Sequence, residues 1–131
     1  MIAFPFRTSA AMARTKPSTS IHLRVMPAPG VALGPGKRDL LAGIRETGSI
    51  AAAGRRMRMS YRRAWQLVEE LNRGFRGPLV EASKGGSGGG GARLTRLGDT
   101  VLDRYERMRA AANAAVATDL AALRRLVARD D

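Results

Sequence analysis

From Asp99 to Asp131 the chain contains neither proline nor glycine, and apolar residues return every three or four positions. Leu97, Val101, Tyr105, Met108, Ala112, Ala115, Leu120, Leu123 and Val127 mark that stripe, so roughly Arg96 to Val127 reads as one amphipathic helix. At ~1.5 Å per residue such a helix runs about 48 Å, more than the rest of a small domain is wide. Its far end cannot be buried by the chain that made it, so a partner is implied. Residues 96–131 carry seven basic and six acidic side chains and little net charge to oppose self-association. The stripe residues Leu97, Val101, Tyr105, Met108, Leu120, Leu123 and Val127 are therefore the expected dimerisation surface. The competing reading is a helix broken near Asn113 and folded back over its own domain.

The other residues are strongly basic. Residues 21–95 hold thirteen basic and five acidic side chains, and the whole chain of 131 residues carries +12. A polyanionic partner, most often nucleic acid, is the ordinary meaning of such an excess. The absence of cysteine removes disulfides, thiolate zinc sites and cysteine nucleophiles. A single histidine, His22, reads as a solvated strand residue rather than a ligand. No apolar run approaches the roughly 20 residues of a membrane span. Adjacent acids such as Glu69-Glu70 and Asp130-Asp131 point apart on a helix and offer no general acid–base pair. Asp99, Asp103 and Glu106 are expected to pair with Arg96, Arg104 and Arg107 along one solvated face. Neither an enzyme nor a cofactor is expected.

Residues 1–20 carry three basic and no acidic side chains, with Pro5 and Pro17 opposing an amphipathic helix. They read as a disordered tail, or as residues ahead of a true start at Met12, rather than as an organellar transit peptide. Ile21, Leu23 and Val25 alternate with polar residues as in a half-buried strand, and Val31-Ala32-Leu33 reads as its return after Pro27, Pro29 and Gly30. From Gly36 the period becomes helical, with Leu40, Leu41 and Ile44 inward and Gly48 as a stop. Ser49 caps a short second helix whose small residues, Ala51 to Gly54, let a neighbour approach closely. Ser60 caps a third helix with Ala64, Leu67, Val68 and Leu71 as its apolar stripe. Leu79–Ala82 and Ala92–Thr95 read as a hairpin around the glycine run 85–91.

This order of elements is that of a winged helix-turn-helix, mainly α with a small β-hairpin and a long C-terminal dimerisation helix. The expected domains are a tail (1–20), a DNA-binding domain (21–95) and a dimerisation helix (96–131). A recognition helix needs polar and basic first turns, because that end meets base edges and phosphates in the major groove. Ser60, Tyr61, Arg62, Arg63 and Gln66 stand there as base and phosphate readers. Arg55, Arg56 and Arg58 lie just upstream as phosphate clamps, and Lys84 and Arg93 flank the hairpin tip as wing contacts. Trp65, next to the stripe residue Ala64, is expected to pack between this helix and the hairpin or the long helix rather than to serve as a base-stacking platform. The glycine run lacks the preceding strong strand and the following Lys-Ser or Lys-Thr of a nucleotide loop.

Gly48-Ser49-Ile50, Ser60-Tyr61 with Ala64-Trp65, and the glycine-rich segment leading to Leu94-Thr95 and Gly98 together resemble the DNA-binding domain of ModE-type molybdate-responsive transcriptional regulators. The likeness covers about residues 21–127, with a more distant one to the LysR-type helix-turn-helix. It implies a winged helix that dimerises through long terminal helices and controls genes of molybdate transport and molybdoenzymes. In that family molybdate or tungstate binds β-rich domains that follow the long helix. This sequence reaches Asp131 without a counterpart of them, so the resemblance carries over DNA binding and dimerisation, not metal sensing. The expected partners are double-stranded DNA and a second copy of the chain, with an effector protein as a separate source of sensing. The expected place is the cytoplasm, on the nucleoid. Two other functions fit the charge or the resemblance: an architectural, sequence-neutral DNA-binding protein, and a small molybdate-type oxyanion binder.

Overall fold

The computed structural model describes residues 21–83 and 91–128. The expected tail over 1–20, the residue Lys84 with most of the glycine run, and the pair Asp130-Asp131 lie outside the described residues. The elements are β1 (Val25–Ala28), β2 (Val31–Leu33), α1 (Pro35–Thr47), α2 (Ile50–Arg56), α3 (Tyr61–Gly74), β3 (Val80–Ser83), β4 (Gly91–Leu94) and α4 (Arg96–Leu126). The chain is mainly helical, with two antiparallel hairpins, β1–β2 and β3–β4. The described residues divide into two units, one spanning residues 22–112 and one that includes α4 from Asn113 to Leu126.

The first strand differs from the expected one. Pairing begins at Val25 and continues through Pro27, and the reversal falls at Pro29-Gly30 alone. Val25 faces Leu33 and Ala28 faces Val31, so β1 holds one residue more than β2 across the same span. That bulge lies at Met26-Pro27, where proline has no N–H to give to a ladder. Gly30 takes φ +81°, the left-handed conformation the turn requires after Pro29. His22 is exposed and precedes the strand.

The first three helices are delimited by local chemistry. Pro35 opens α1, and Gly48 closes it at φ 73° with its N–H donating to the Ile44 carbonyl at 2.8 Å. Ser49 Oγ accepts the Ala52 N–H and Ser60 Oγ accepts the Arg63 N–H, each at 3.0 Å. Each such cap is worth about 1 kcal/mol. Leu40, Leu41 and Ile44 from α1 meet Ala64, Leu67, Val68 and Leu71 from α3 in one core with Ile50, Ala53 and Leu79. The small residues act as expected. A Cβ on Gly43 would lie 2.9 Å from that of Ala53, and one on Gly54 would lie 3.1 Å from that of Ala64. Helices α1, α2 and α3 thus approach at distances that larger side chains would forbid.

The β3–β4 hairpin is joined to this core from both sides. Asn72 near the end of α3 accepts the N–H of Leu79 at 2.8 Å and of Val80 at 3.1 Å, and donates to the Val80 carbonyl at 3.1 Å. The Ala92 N–H donates to the Gly48 carbonyl at 2.9 Å, tying β4 to the α1–α2 turn. Register pairs Val80 with Leu94, Glu81 with Arg93, Ala82 with Ala92 and Ser83 with Gly91.

Helix α4 starts in a tight fit. Thr95 Oγ1 donates to the Pro78 carbonyl at 2.7 Å and accepts the Gly98 N–H at 3.0 Å. A Cβ at Gly98 would collide with the Leu79 carbonyl, so only glycine lets the helix pass there. Tyr105 is fully buried, and its hydroxyl donates to the Leu23 carbonyl at 2.6 Å. Burial pushes its pKa above the ordinary tyrosine value.

The carboxylates of α4 do not pair as expected with Arg96, Arg104 and Arg107. Asp99 and Asp103 reach Arg45 at 3.3 and 3.0 Å, and Glu106 binds Arg38 at 2.6 Å and Arg109 at 3.1 Å. The reason is periodicity on two helices at once. Arg38 and Arg45 stand two turns apart on α1, and Asp99, Asp103 and Glu106 form a matching row on α4. The hydrogen bond to Glu106 is the main cause that raises the Arg38 pKa above its ordinary value.

Candidate nucleic-acid interface

Helices α2 and α3 are joined by a turn with one unusual backbone. The Arg58 N–H donates to the Arg55 carbonyl and the Met59 N–H to the Gly54 carbonyl, both at 3.0 Å. Those two bonds make a Schellman close to α2, which places Arg58 at the position where helices ordinarily carry glycine. Arg58 accordingly has φ 57°, the one left-handed non-glycine residue among those described. An L side chain held there costs of order 1 kcal/mol or more. The turn keeps a cation where conformational preference asks for glycine.

Helix α3 then presents three faces. Ala64, Leu67, Val68 and Leu71 are buried. Opposite them, Arg62, Gln66, Glu69 and Arg73 follow at four, three and four residues and form an exposed polar crest. Arg63 and Glu70 lie on one flank, where Glu70 pairs with Lys37 at 3.2 Å. Tyr61 and Trp65 lie on the other flank, which Asn72 shares three turns along.

Trp65 is not in the core. It is 40% exposed and Tyr61 is 58% exposed, their rings edge to face with centroids 6.2 Å apart. The residue is one position beyond Ala64, a rotation of about 100° that carries it off the buried stripe. Tyr105 from α4 and Leu79 fill the core instead.

The remaining expected site residues fall into two groups. Arg55, Arg58, Ser60, Arg62, Arg63 and Gln66 are exposed around the α2–α3 turn and the first turns of α3. Arg63 reaches Gln66 at 3.3 Å, which holds the two together across one turn. Among the described residues, Arg55, Arg58 and Arg62 have no carboxylate partner. Arg56 and Arg93 already have one: Glu46 at 2.7 Å and Glu81 at 2.8 Å. Their charges are partly neutralised before any ligand arrives. From Gly48 to Val68 the sequence has five arginines and no acid, so the exposed end of α3 is uniformly positive. Glu69 and Arg73 extend the crest and were missed by reasoning on the first turns alone, although their spacing from Arg62 and Gln66 was readable.

The expected dimerisation stripe divides in its use. Tyr105 is fully buried, and Leu97 and Val101 pack against the core of residues 22–112. Leu102, outside the expected stripe, is buried with them. Further along, Met108, Leu123, Leu126 and Val127 are exposed by 42, 60, 79 and 67%, while Leu120 is half-buried. Among the described residues no helix is long and apolar enough to cross a membrane, and no cluster of three or more metal-ligating side chains occurs.

No family model matches the chain. Individual proteins do. Over 76 residues it is 42% identical to the molybdenum-pterin-binding protein MopB of Rhodobacter capsulatus, covering 58% of this chain and 28% of that protein. Over 72 residues it is 39% identical to the DNA-binding transcriptional dual regulator ModE of Escherichia coli K12, covering 55% and 28%. The longest of these matches is to the transcriptional regulator ModE of Haemophilus influenzae, 33% identical over 89 residues, covering 68% and 35%. ModE transcriptional regulators and the Mop proteins are thus homologues of this chain. The chain spans about a third or less of the length of these relatives.

Proposed function

We propose that the chain is a transcriptional regulator of the ModE type that binds double-stranded DNA as a winged helix-turn-helix. Its α2–α3 pair is the helix-turn-helix, with α3 entering the major groove and the β3–β4 hairpin acting as the wing. The observation that carries this reading is the acid-free arginine run around the exposed start of α3, opposite a buried apolar stripe. Such a face costs the fold electrostatic repulsion and has no use within it. On a duplex, Arg62, Arg63 and Gln66 can reach base edges, while Arg55, Arg58, Ser60 and Tyr61 hold phosphates. Arg56 and Arg93 contribute less than their exposure alone suggests, because Glu46 and Glu81 stay beside them. Lys84 is assigned to the wing by sequence position only.

The assembly proposed is a homodimer joined through the terminal part of α4, with Met108, Leu120, Leu123 and Val127 at the seam. Leu97, Val101 and Tyr105 serve the core of each copy. The dimer would select a site of two-fold symmetry. A salt titration of binding to labelled duplex DNA tests the reading. Log K should fall linearly against log salt with a slope of roughly −0.9 per phosphate neutralised. A flat response removes the nucleic-acid function. The name of the Rhodobacter relative favours a second reading, a molybdenum-containing ligand. Equilibrium dialysis with molybdate tests that one, and retention by the protein without DNA would support it.

A further inference from the structure

The folded domain leaves an aromatic pair, Tyr61 and Trp65, exposed within its acid-free run of arginines. Trp65 is 40% exposed, whereas another aromatic residue of the fold, Tyr105, is fully buried. An indole left half in water forfeits burial that the fold gives to far smaller side chains. It is also held. Tyr61, one turn earlier, meets it edge to face at 6.2 Å and 83°, a geometry that restricts the ring without covering it. The aromatic pair borders the crest of Arg62, Gln66, Glu69 and Arg73 on the flank that Asn72 ties to β3. Anything seated on that crest meets the indole.

The five arginines and absent acids between Gly48 and Val68 select the occupant by charge. A polyanion is attracted, and duplex DNA is the polyanion that the proposed function already supplies. In the major groove the apolar group that differs between base pairs is the 5-methyl of thymine. Resting on the proposed DNA-binding function, we propose that Trp65, steadied by Tyr61, is a specificity-determining residue that packs its indole on a thymine 5-methyl group beside the bases read by Arg62 and Gln66. The readers expected from polarity alone then account for only part of the discrimination.

Uracil in place of thymine removes that methyl and leaves the pairing edge unchanged, so the DNA itself can be the variant. The probe is a duplex enriched by the wild-type protein from a randomised pool, with its thymines replaced by uracil one at a time. At one thymine per half-site, binding should weaken about fourfold, the worth of one buried methylene-sized group. Trp65→Ala should bind thymine and uracil duplexes equally, and Trp65→Phe should keep part of the difference. Trp65 is the chain's only tryptophan, so its emission should shift or quench on adding the thymine duplex. Equal discrimination by wild type and Trp65→Ala, no uracil effect at any position, or unchanged emission on binding would each overturn the proposal while leaving DNA binding intact. Failure of the wild type to bind duplex DNA at all would overturn the DNA-binding function together with it.

Discussion

Replacing Arg58 by glycine should make the protein more stable and a poorer DNA binder at once. Arg58 holds φ 57° because the bonds from its own N–H and that of Met59 close α2. A side chain in this region costs of order 1–2 kcal/mol relative to glycine. Glycine in turn gives the unfolded chain more freedom, which removes about 0.5–1 kcal/mol of that gain. Relief of strain should win, leaving a net stabilisation of about 0.5–1 kcal/mol. For a domain of this size that is an increase in Tm of roughly 2–6 °C. The same change removes a cation from the turn that leads into α3. The salt dependence of DNA binding should then flatten by about 0.9 in slope for each copy that loses one phosphate contact.

Alanine separates the two effects. Arg58→Ala keeps the Cβ and hence the strain, so it should lose binding as glycine does without gaining stability. Circular dichroism melts at one fixed protein concentration would measure stability, since a self-associating chain has a concentration-dependent Tm. Fluorescence anisotropy with a labelled duplex at several salt concentrations would measure binding. Equal melting of the glycine and alanine variants would refute the strain argument. A stabilised glycine variant with unaltered binding and salt slope would refute the idea that the cation is kept for DNA.

Arg63→Ala and Gln66→Ala should each cost about 1–3 kcal/mol on an enriched duplex and little on random DNA, compared by competition binding. Equal losses on both would reassign these side chains to the phosphate backbone. Leu120→Asp with Leu123→Asp should give monomer by light scattering and weaken binding to a full two-fold site far more than to a half-site. A wild-type protein that is monomeric at micromolar concentration would dismiss the dimer. Tyr105→Phe removes a hydrogen bond to the Leu23 carbonyl and should cost about 0.5–1.5 kcal/mol at neutral pH. The folded pKa of Tyr105 is raised above the ordinary value of 10.0. The native state therefore keeps this proton longer than the unfolded chain, and stability falls as pH rises from about 10 through the folded pKa. Urea melts across that range should show a shallower alkaline loss in the phenylalanine variant; an unchanged slope would clear Tyr105 of that role.

Much of the helical plan was legible because its signals are local. Ser49 and Ser60 announce helix starts by their hydroxyls, Gly48 announces a stop, and the stripe of Ala64, Leu67, Val68 and Leu71 repeats at the helical period. The β3–β4 hairpin was legible to within a residue at each end, but β1 starts four residues later than the alternation suggested, since strand ends depend on partners far along the chain. The bulge at Met26-Pro27 shows why: a proline suggests a break, yet an extra residue lets the strand pass through it. Pairing between α1 and α4 was invisible for the same reason. Arg45 is more than fifty residues from Asp99 in sequence, and only the packing of two apolar faces brings them together.

The site was legible where charge alone defines it and illegible where charge is already answered. Arg56 and Arg93 look equal to Arg62 in sequence, but Glu46 and Glu81 take up part of their field once the chain is folded. Trp65 fails in the opposite sense. Its size suggests the core, and the phase of α3 places it one step off the stripe that Ala64 begins. Phase decides, because a helix can bury only the arc that faces its neighbours, and that arc is already filled by Ala64, Leu67, Val68 and Leu71. A large apolar side chain displaced from the core in this way has no folding reason to be held edge-on by Tyr61. Two features that the fold does not need, the exposed aromatic pair and the strained arginine at φ 57°, fall within the same acid-free run from Gly48 to Val68. Independent costs that converge on one surface are better evidence for its use than the net charge of the whole chain.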